Sequence, residues 1–113
     1  MQISGQPHGS ALLVRVDETR IDAAVAIQFK ETMRSVIAAD GTPVILDLSS
    51  VQFLDSSGLG ALVALMKMLG RARPLELACL HPTVAKVLRL TRMDTIFTIH
   101  ERVPSVAALA PGG

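Results

Sequence analysis

The chain has 113 residues, a formal net charge of +1 and a hydrophobic content of 50%. This length is typical of one domain, and the high hydrophobic content excludes an intrinsically disordered chain. The small net charge and the absence of Trp and Tyr argue against nucleic-acid binding, which uses basic surfaces and aromatic rings that stack on bases. We therefore expect one domain over residues 1–113, without a nucleic-acid partner.

The predicted elements begin with two short strands. Residues 2–6 and 11–16, separated by a turn through residues 7–10, predict an N-terminal hairpin. From Asp22, apolar residues recur at helical spacing and predict an amphipathic helix that ends near residues 39–43. The continuous apolar run at residues 44–48 predicts a central strand that is covered on both faces.

The alternation of strands and helices continues along the rest of the chain. A helix is expected over residues 57–69, a strand at 75–80, a helix after Pro82, a short strand at 96–99 and a last short helix after Pro104. This order predicts an α/β fold with a mixed, mostly parallel sheet, an N-terminal hairpin and packed helices. In such sheets the functional residues gather beyond the carboxyl ends of the strands. Residues 55–58 are expected at that edge.

The quartet Asp55-Ser56-Ser57-Gly58 lies between the central strand and the next helix. Ser56 or Ser57 is expected to cap this helix by accepting a hydrogen bond from a free backbone N–H, and Gly58 lets the helix start pack closely. A hydroxyl at a helix N-terminus is also suited to carry phosphate, because the free N–H groups and the helix dipole stabilise negative charge. The residues alone leave a structural role and a phosphorylation site open.

The helix that follows the quartet has almost no polar side. Along residues 57–70 the only charged residue is Lys67. Such a helix is either buried on all sides or covered by a partner, and a small domain has little room to bury a whole helix. The sequence leaves both interpretations open: a helix that is buried within the domain, or one with an exposed side that faces a partner. Residues 67–92 carry six basic residues against one acidic residue, which we interpret as solvated helix faces.

Residues 46–66, with their strand, D-S-S-G-L-G turn and helix, resemble the STAS domain of bacterial anti-sigma factor antagonists. The order of the elements matches along nearly the whole chain, and residues 81–93 resemble a later segment of that family. The resemblance implies that Ser56 is the phosphorylated residue and that its neighbours complete the motif (Asp55, Ser57 and Gly58). The partner-binding residues that we expect from it are Asp22, Phe53, Leu54, Leu59 and Gly60.

The resemblance also implies a partner switch. The unphosphorylated protein would bind an anti-sigma factor that is a serine kinase and so release a sigma factor or another client, and phosphorylation at Ser56 would end this binding. A serine phosphatase would reset the switch. The kinase supplies the ATP, so we expect no cofactor and no enzymatic activity in this chain, which would act as a monomer or weak dimer. The alternative is an accessory STAS subunit that docks constitutively on a transporter or other complex and is not phosphorylated.

Features that bear on location point to a cytoplasmic protein. The uncharged, apolar stretch at residues 56–66 has 11 residues, and no stretch without Asp, Glu, Lys or Arg exceeds 14 residues, whereas crossing a bilayer takes about 20. The first ten residues contain neither the positively charged region nor the apolar segment of a secretory signal peptide. The chain has a single cysteine, which cannot form an internal disulfide. We expect no membrane-spanning segment.

Other candidate sites have less support from the sequence. Asp47 and Asp55 would suggest a phosphate-accepting receiver domain, but the first strands end without the acidic pair that holds Mg²⁺. Gly58 and Gly60 lack the third glycine of a dinucleotide-binding motif. The remaining candidate ligands are too scattered to support a metal site or a Cys–His nucleophile (His8, Cys79, His81 and His100).

Overall fold

A computed structural model describes residues 1–37 and 42–106 of the chain. The strands in these residues are β1 (Ile3–His8), β2 (Ala11–Val16), β3 (Arg20–Ile21), β4 (Val44–Asp47), β5 (Phe53–Leu54), β6 (Leu75–Ala78) and β7 (Thr98–His100). The helices are α1 (Ala26–Val36), α2 (Ser56–Leu69), α3 (Pro82–Leu90) and a 3₁₀ turn at Met93–Thr95.

The main sheet has five strands in the order β1-β2-β4-β6-β7. Strands β1 and β2 form an antiparallel hairpin, and the other three pairings are parallel. The predicted α/β fold, with a mixed and mostly parallel sheet and an N-terminal hairpin, is therefore confirmed. The central position of β4 also confirms the central strand that the apolar run predicted.

All three α-helices contribute to one apolar core on a single face of the sheet. Alternate strand residues such as Val14, Val44 and Leu46 are fully buried there against helical side chains (Phe29, Met33, Leu62, Leu65, Val84 and Leu88). On the opposite face, Ile45 belongs to a smaller buried cluster that packs against Val103. Strand β4 is thus covered on both sides, and its carboxyl end leads towards the Asp55-Ser56-Ser57-Gly58 quartet.

A second, two-stranded sheet was not predicted. Strands β3 and β5 pair in parallel, with Arg20 opposite Phe53 and Ile21 opposite Leu54. Each of these strands has two residues, which are too few to show the two-residue period of a strand in the sequence. The pairing is stabilised by the burial of Ile21 and Leu54, which are 0% and 3% exposed. The pairing places the segment before α1 beside the segment before α2.

Helix α1 begins four residues later than its pattern predicted. The carboxylate of Asp22 accepts a hydrogen bond from the N–H of Ala24 at 3.1 Å, and its carbonyl accepts one from Val25 at 3.1 Å. Because aspartate favours such local bonds, residues 22–25 form a turn and not a helical start. The predicted end of this helix falls partly on residues 38–41, and the predicted last helix largely on residues 107–113, both outside the described residues.

Candidate functional site

The start of α2 is capped by Asp55. The backbone of this residue is extended, and its carboxylate oxygen Oδ1 accepts a hydrogen bond from the N–H of Gly58 at 2.9 Å. The prediction that Ser56 or Ser57 caps the helix is therefore wrong: the carboxylate one position earlier fills that role. Both serine residues are exposed to solvent in the first turn of the helix.

The other oxygen of the same carboxylate joins α2 to the preceding loop. Asp55 Oδ2 accepts a hydrogen bond from the N–H of Ala23 at 3.1 Å. The pKa of Asp55 lies below its ordinary value, chiefly because the N–H of Gly58 donates to the charged form, with a further contribution from Ala23. At neutral pH a fixed negative charge therefore lies directly beside Ser56.

Gly58 allows the close approach of α2 to β3. A Cβ atom at this position would overlap the carbonyl oxygen of Ile21 and lie 2.7 Å from Cδ1 of Leu54. The first of these neighbours is backbone within a paired strand, so it cannot move aside as the end of a flexible side chain can. The expectation that Gly58 lets the helix start pack closely is confirmed.

An uncharged exposed strip runs along α2 away from the quartet. Ser56, Gly60 and Ala64 are exposed and recur every four residues, so they share one side of the helix, which we call the α2 face. A Cβ atom built on Gly60 would meet no atom within 4 Å. Phe53, just before the quartet, is 48% exposed. The use of this face by a partner stays a prediction.

The residues expected to bind a partner differ in exposure. Phe53 and Gly60 are exposed, and Leu59 is half-buried. Leu54 is only 3% exposed, and its prediction as a contact residue is wrong for its side chain. Neighbouring residues of a strand point to opposite sides, so in β5 Phe53 points outward and Leu54 points into the core.

Asp22 lies in the loop that Asp55 holds in place. Its side chain is 16% exposed, and Oδ2 lies 3.4 Å from Nη1 of the more exposed Arg20. The sequence reasoning missed both Arg20 and Ala23. Ala23 contributes only its backbone N–H, so its residue type carries no signal, and Arg20 would have been noticed only if β3 had been predicted.

The scattered histidines have separate local contacts. His81 precedes Pro82 and caps α3, because its Nδ1 accepts a hydrogen bond from the N–H of Thr83 at 3.2 Å. His8 Nε2 lies 2.7 Å from the carbonyl oxygen of Pro104, and His100 Nε2 lies 2.6 Å from Oε1 of Glu76. Across residues 1–37 and 42–106, no three acidic, His or Cys side chains are grouped as metal ligands. Within the same ranges, no helix has the length and apolar character needed to span a bilayer.

Comparisons with known proteins extend over most of the chain. The family model described as the STAS domain matches residues 2–106. The anti-sigma-F factor antagonist RsfB of Mycobacterium tuberculosis is 28% identical over 90 residues, which cover 76% of this chain and 74% of that protein.

Two solved structures have similar folds. An anti-sigma factor antagonist from Mycobacterium paratuberculosis superposes with a TM-score of 0.78 at 27% identity, covering 96% of this chain and 94% of that one. An anti-sigma-factor antagonist (STAS) domain protein from Planctomyces limnophilus also gives a TM-score of 0.78, at 20% identity, with 96% and 97% of the two chains covered.

Proposed function

The chain belongs to the STAS domain family, and from this premise we propose that it is an anti-sigma factor antagonist that acts by partner switching. As a single STAS domain in the cytoplasm, the unphosphorylated protein binds an anti-sigma serine kinase and thereby releases a sigma factor or another client. Phosphorylation of Ser56 ends this binding, and a serine phosphatase restores it. The observation that carries the proposal is the exposed Ser56 at the start of α2, beside a fixed carboxylate and on the uncharged α2 face.

The identity of the phosphorylated residue rests on position and not on exposure. Ser56 and Ser57 are both exposed, so a kinase could reach either hydroxyl. Ser56 directly follows Asp55, and this is the position that the family resemblance assigns to the phosphate. The kinase would transfer the γ-phosphoryl group of ATP to Oγ of Ser56, releasing ADP and the hydroxyl proton. This chain would be the substrate and regulator, and the kinase would be the enzyme.

The proposed switch works through charge on a binding surface. A phosphate adds about −1.5 to −2 charges at neutral pH, next to the carboxylate of Asp55, which is ionised at this pH as aspartate ordinarily is. A partner that covers the α2 face would have to remove water from both negative groups, the phosphate on Ser56 and the carboxylate of Asp55. That cost opposes association, while in the free protein the same charges stay solvated.

A labelling experiment tests the site. The purified chain is incubated with ATP and candidate anti-sigma serine kinases, and any phosphate is located by mass spectrometry. Ser56→Ala should abolish the labelling, whereas Ser57→Ala, its matched neighbour, should keep most of it. The opposite pattern would contradict the assignment of Ser56.

A binding experiment tests the switch. Calorimetry with the kinase should give Ser56→Ala an affinity close to that of the unmodified chain, because no charge is added to the α2 face. Ser56→Asp should bind at least about tenfold more weakly, since it introduces a charge that must be desolvated. Equal dissociation constants for the two variants, without any labelling of Ser56, would support the constitutive accessory subunit instead.

A further inference from the structure

An apolar groove lies at the end of α2 that is remote from Ser56. Its volume is about 400 Å³, and its apolar lining includes Met66, Pro74, Leu75 and Ile96. Leu75 is 4% exposed and belongs to the core, whereas Ile96 is 47% exposed at the surface. Grooves of this volume lie within the range that accommodates small organic ligands. None of the three residues that define the α2 face (Ser56, Gly60 and Ala64) lines this groove.

Two positive charges also line this groove. Lys67 lies in the last turn of α2, and Arg71 follows Gly70, which ends the helix with a positive φ of 73°. No acidic side chain lines the groove within the described part of the chain. Within the same residues, neither Lys67 nor Arg71 forms an ion pair. Both cations are therefore available to a ligand.

The partial negative charge at the C-terminal end of α2 is too small to balance both Lys67 and Arg71. The last carbonyl groups of a helix carry roughly half a negative charge, which one nearby cation is enough to offset. Lys67 and Arg71 together leave a net positive charge next to an apolar surface. Both side chains are exposed to solvent, as the interpretation of the basic residues at 67–92 as solvated predicts, although Arg71 lies beyond the end of α2 and not on a helix face.

We propose that this groove binds a single-chain anionic amphiphile, specifically a medium-chain alkyl carboxylate. The hydrocarbon chain packs against Leu75, Met66 and Ile96, and the carboxylate pairs with Lys67 and Arg71. A guanidinium offers a forked pair of donors that matches the two carboxylate oxygens, and its charge is permanent. The modest volume favours one alkyl chain over a two-chain lipid.

The proposed ligand site is separate from the proposed phosphorylation site. Lys67 follows Ser56 by three helical turns, which is about 16 Å along the axis of α2. Since Ser56 does not line the groove, a ligand held there is not expected to contact it. The two proposals can therefore fail independently.

A chain-length series tests the apolar part of the site. The full ¹⁵N-labelled chain is titrated with hexanoate, octanoate and decanoate below their micelle concentrations and followed by NMR. Saturable shifts are expected at the amides of Lys67, Gly70 and Thr98, which line the groove. The dissociation constant should fall about three- to fourfold for each added methylene group. Shifts that do not saturate, or that spread over the whole surface, would overturn the proposal.

A charge-reversal pair tests the polar part. Lys67→Glu with Arg71→Glu should weaken octanoate at least tenfold and leave 1-octanol within twofold, because the alcohol has no charge to pair. The matched control is Lys86→Glu with Arg89→Glu, the same charge change at exposed positions of α3, which should leave both ligands unaffected. Melting curves check that each variant is folded. Equal affinity of the unmodified chain for octanoate and 1-octanol, or equal weakening by the control pair, would refute the carboxylate site.

Discussion

The helices α1 and α2 belong to the same core, yet their N-termini are held in different ways. Helix α1 follows Val25, whose side chain makes no capping hydrogen bond and whose ψ is −1°. Helix α2 follows Asp55, whose ψ is −173° and whose carboxylate caps the first turn. The N–H of Ala23, just before α1, also donates to Asp55. One carboxylate thus organises the approach to both helices, and this is the carboxylate beside Ser56.

The largest expected effect comes from the glycine that lets α2 approach β3. Gly58→Ala should destabilise the protein by about 3 kcal/mol or more, because its Cβ would meet the backbone of Ile21. Gly60→Ala is the matched control in the same helix, and its Cβ would meet open space. It should raise stability by up to about 1 kcal/mol, since alanine favours the helix. Urea denaturation measures both values, and the same sign for both would contradict the close packing at Gly58.

The next effect comes from the shared carboxylate. Asp55→Ala should lower the melting temperature by roughly 5 °C, because the start of α2 loses its cap. Asp55→Asn should lower it less, since an amide oxygen can still accept one of the two N–H donors. Thermal unfolding at neutral pH measures the difference. Equal melting of Asp55→Ala and the unmodified chain would show that the carboxylate does not join the two segments.

The stabilisation that the Asp55 carboxylate gives to the start of α2 should depend on pH. The folded-state pKa of Asp55 is lowered, so its stabilising contribution is fully present above the unfolded-state pKa of about 3.9 and is lost as the pH falls through the folded-state pKa. The melting difference between the unmodified chain and Asp55→Asn should therefore be constant from pH 5 to 7 and shrink below about pH 4. A difference that grows on acidification would have the wrong sign.

Phosphorylation of Ser56 should change stability less than either substitution. The N-terminal dipole of α2 favours an anion by about 0.3–1 kcal/mol, and repulsion from Asp55 is screened over a Debye length of about 8 Å. These effects are small beside the roughly 5–15 kcal/mol that stabilises a domain. The phosphorylated chain should keep its circular-dichroism spectrum and melt within a few degrees of the unmodified one. Loss of helical signal would instead indicate an order–disorder switch.

The smallest effect is expected at the start of α1. Val25→Thr introduces a side chain that can cap helices, but its oxygen cannot reach the first-turn N–H groups from a backbone with ψ near 0°. The melting temperature should not rise and should change by less than about 2 °C. A clear rise would show that residue type, and not backbone geometry, separates the two helix starts.

The repeating parts of the fold could be predicted from the sequence. The short strand at residues 11–16, the apolar run at 44–48 and the apolar helix after Asp55 could each be predicted because several neighbouring residues indicate the same environment. Their order then specifies the mostly parallel sheet. The motif around Ser56 could be recognised because it lies between two such elements.

The predictions that were wrong concern features that depend on contacts between segments distant in the sequence. Asp55, Ser56 and Ser57 are all good capping residues, and local pattern cannot choose among them. The carboxylate of Asp55 is favoured because its second oxygen also receives the N–H of Ala23. The burial of Leu54 likewise follows from the pairing of β5 with β3. A strand of two residues is too short to show a pattern from which this pairing could be predicted.

The bridge between Ala23 and Asp55 also has a consequence for the order of folding. These residues are 32 positions apart, so a long loop must close before α2 acquires its complete cap, whereas the hairpin of β1 and β2 needs only local contacts. The capped start of α2, which includes Ser56, should therefore form after the hairpin. In the native protein the amide protons of Ala23 and Gly58, bonded to two oxygens of one carboxylate, should exchange with solvent through the same opening event.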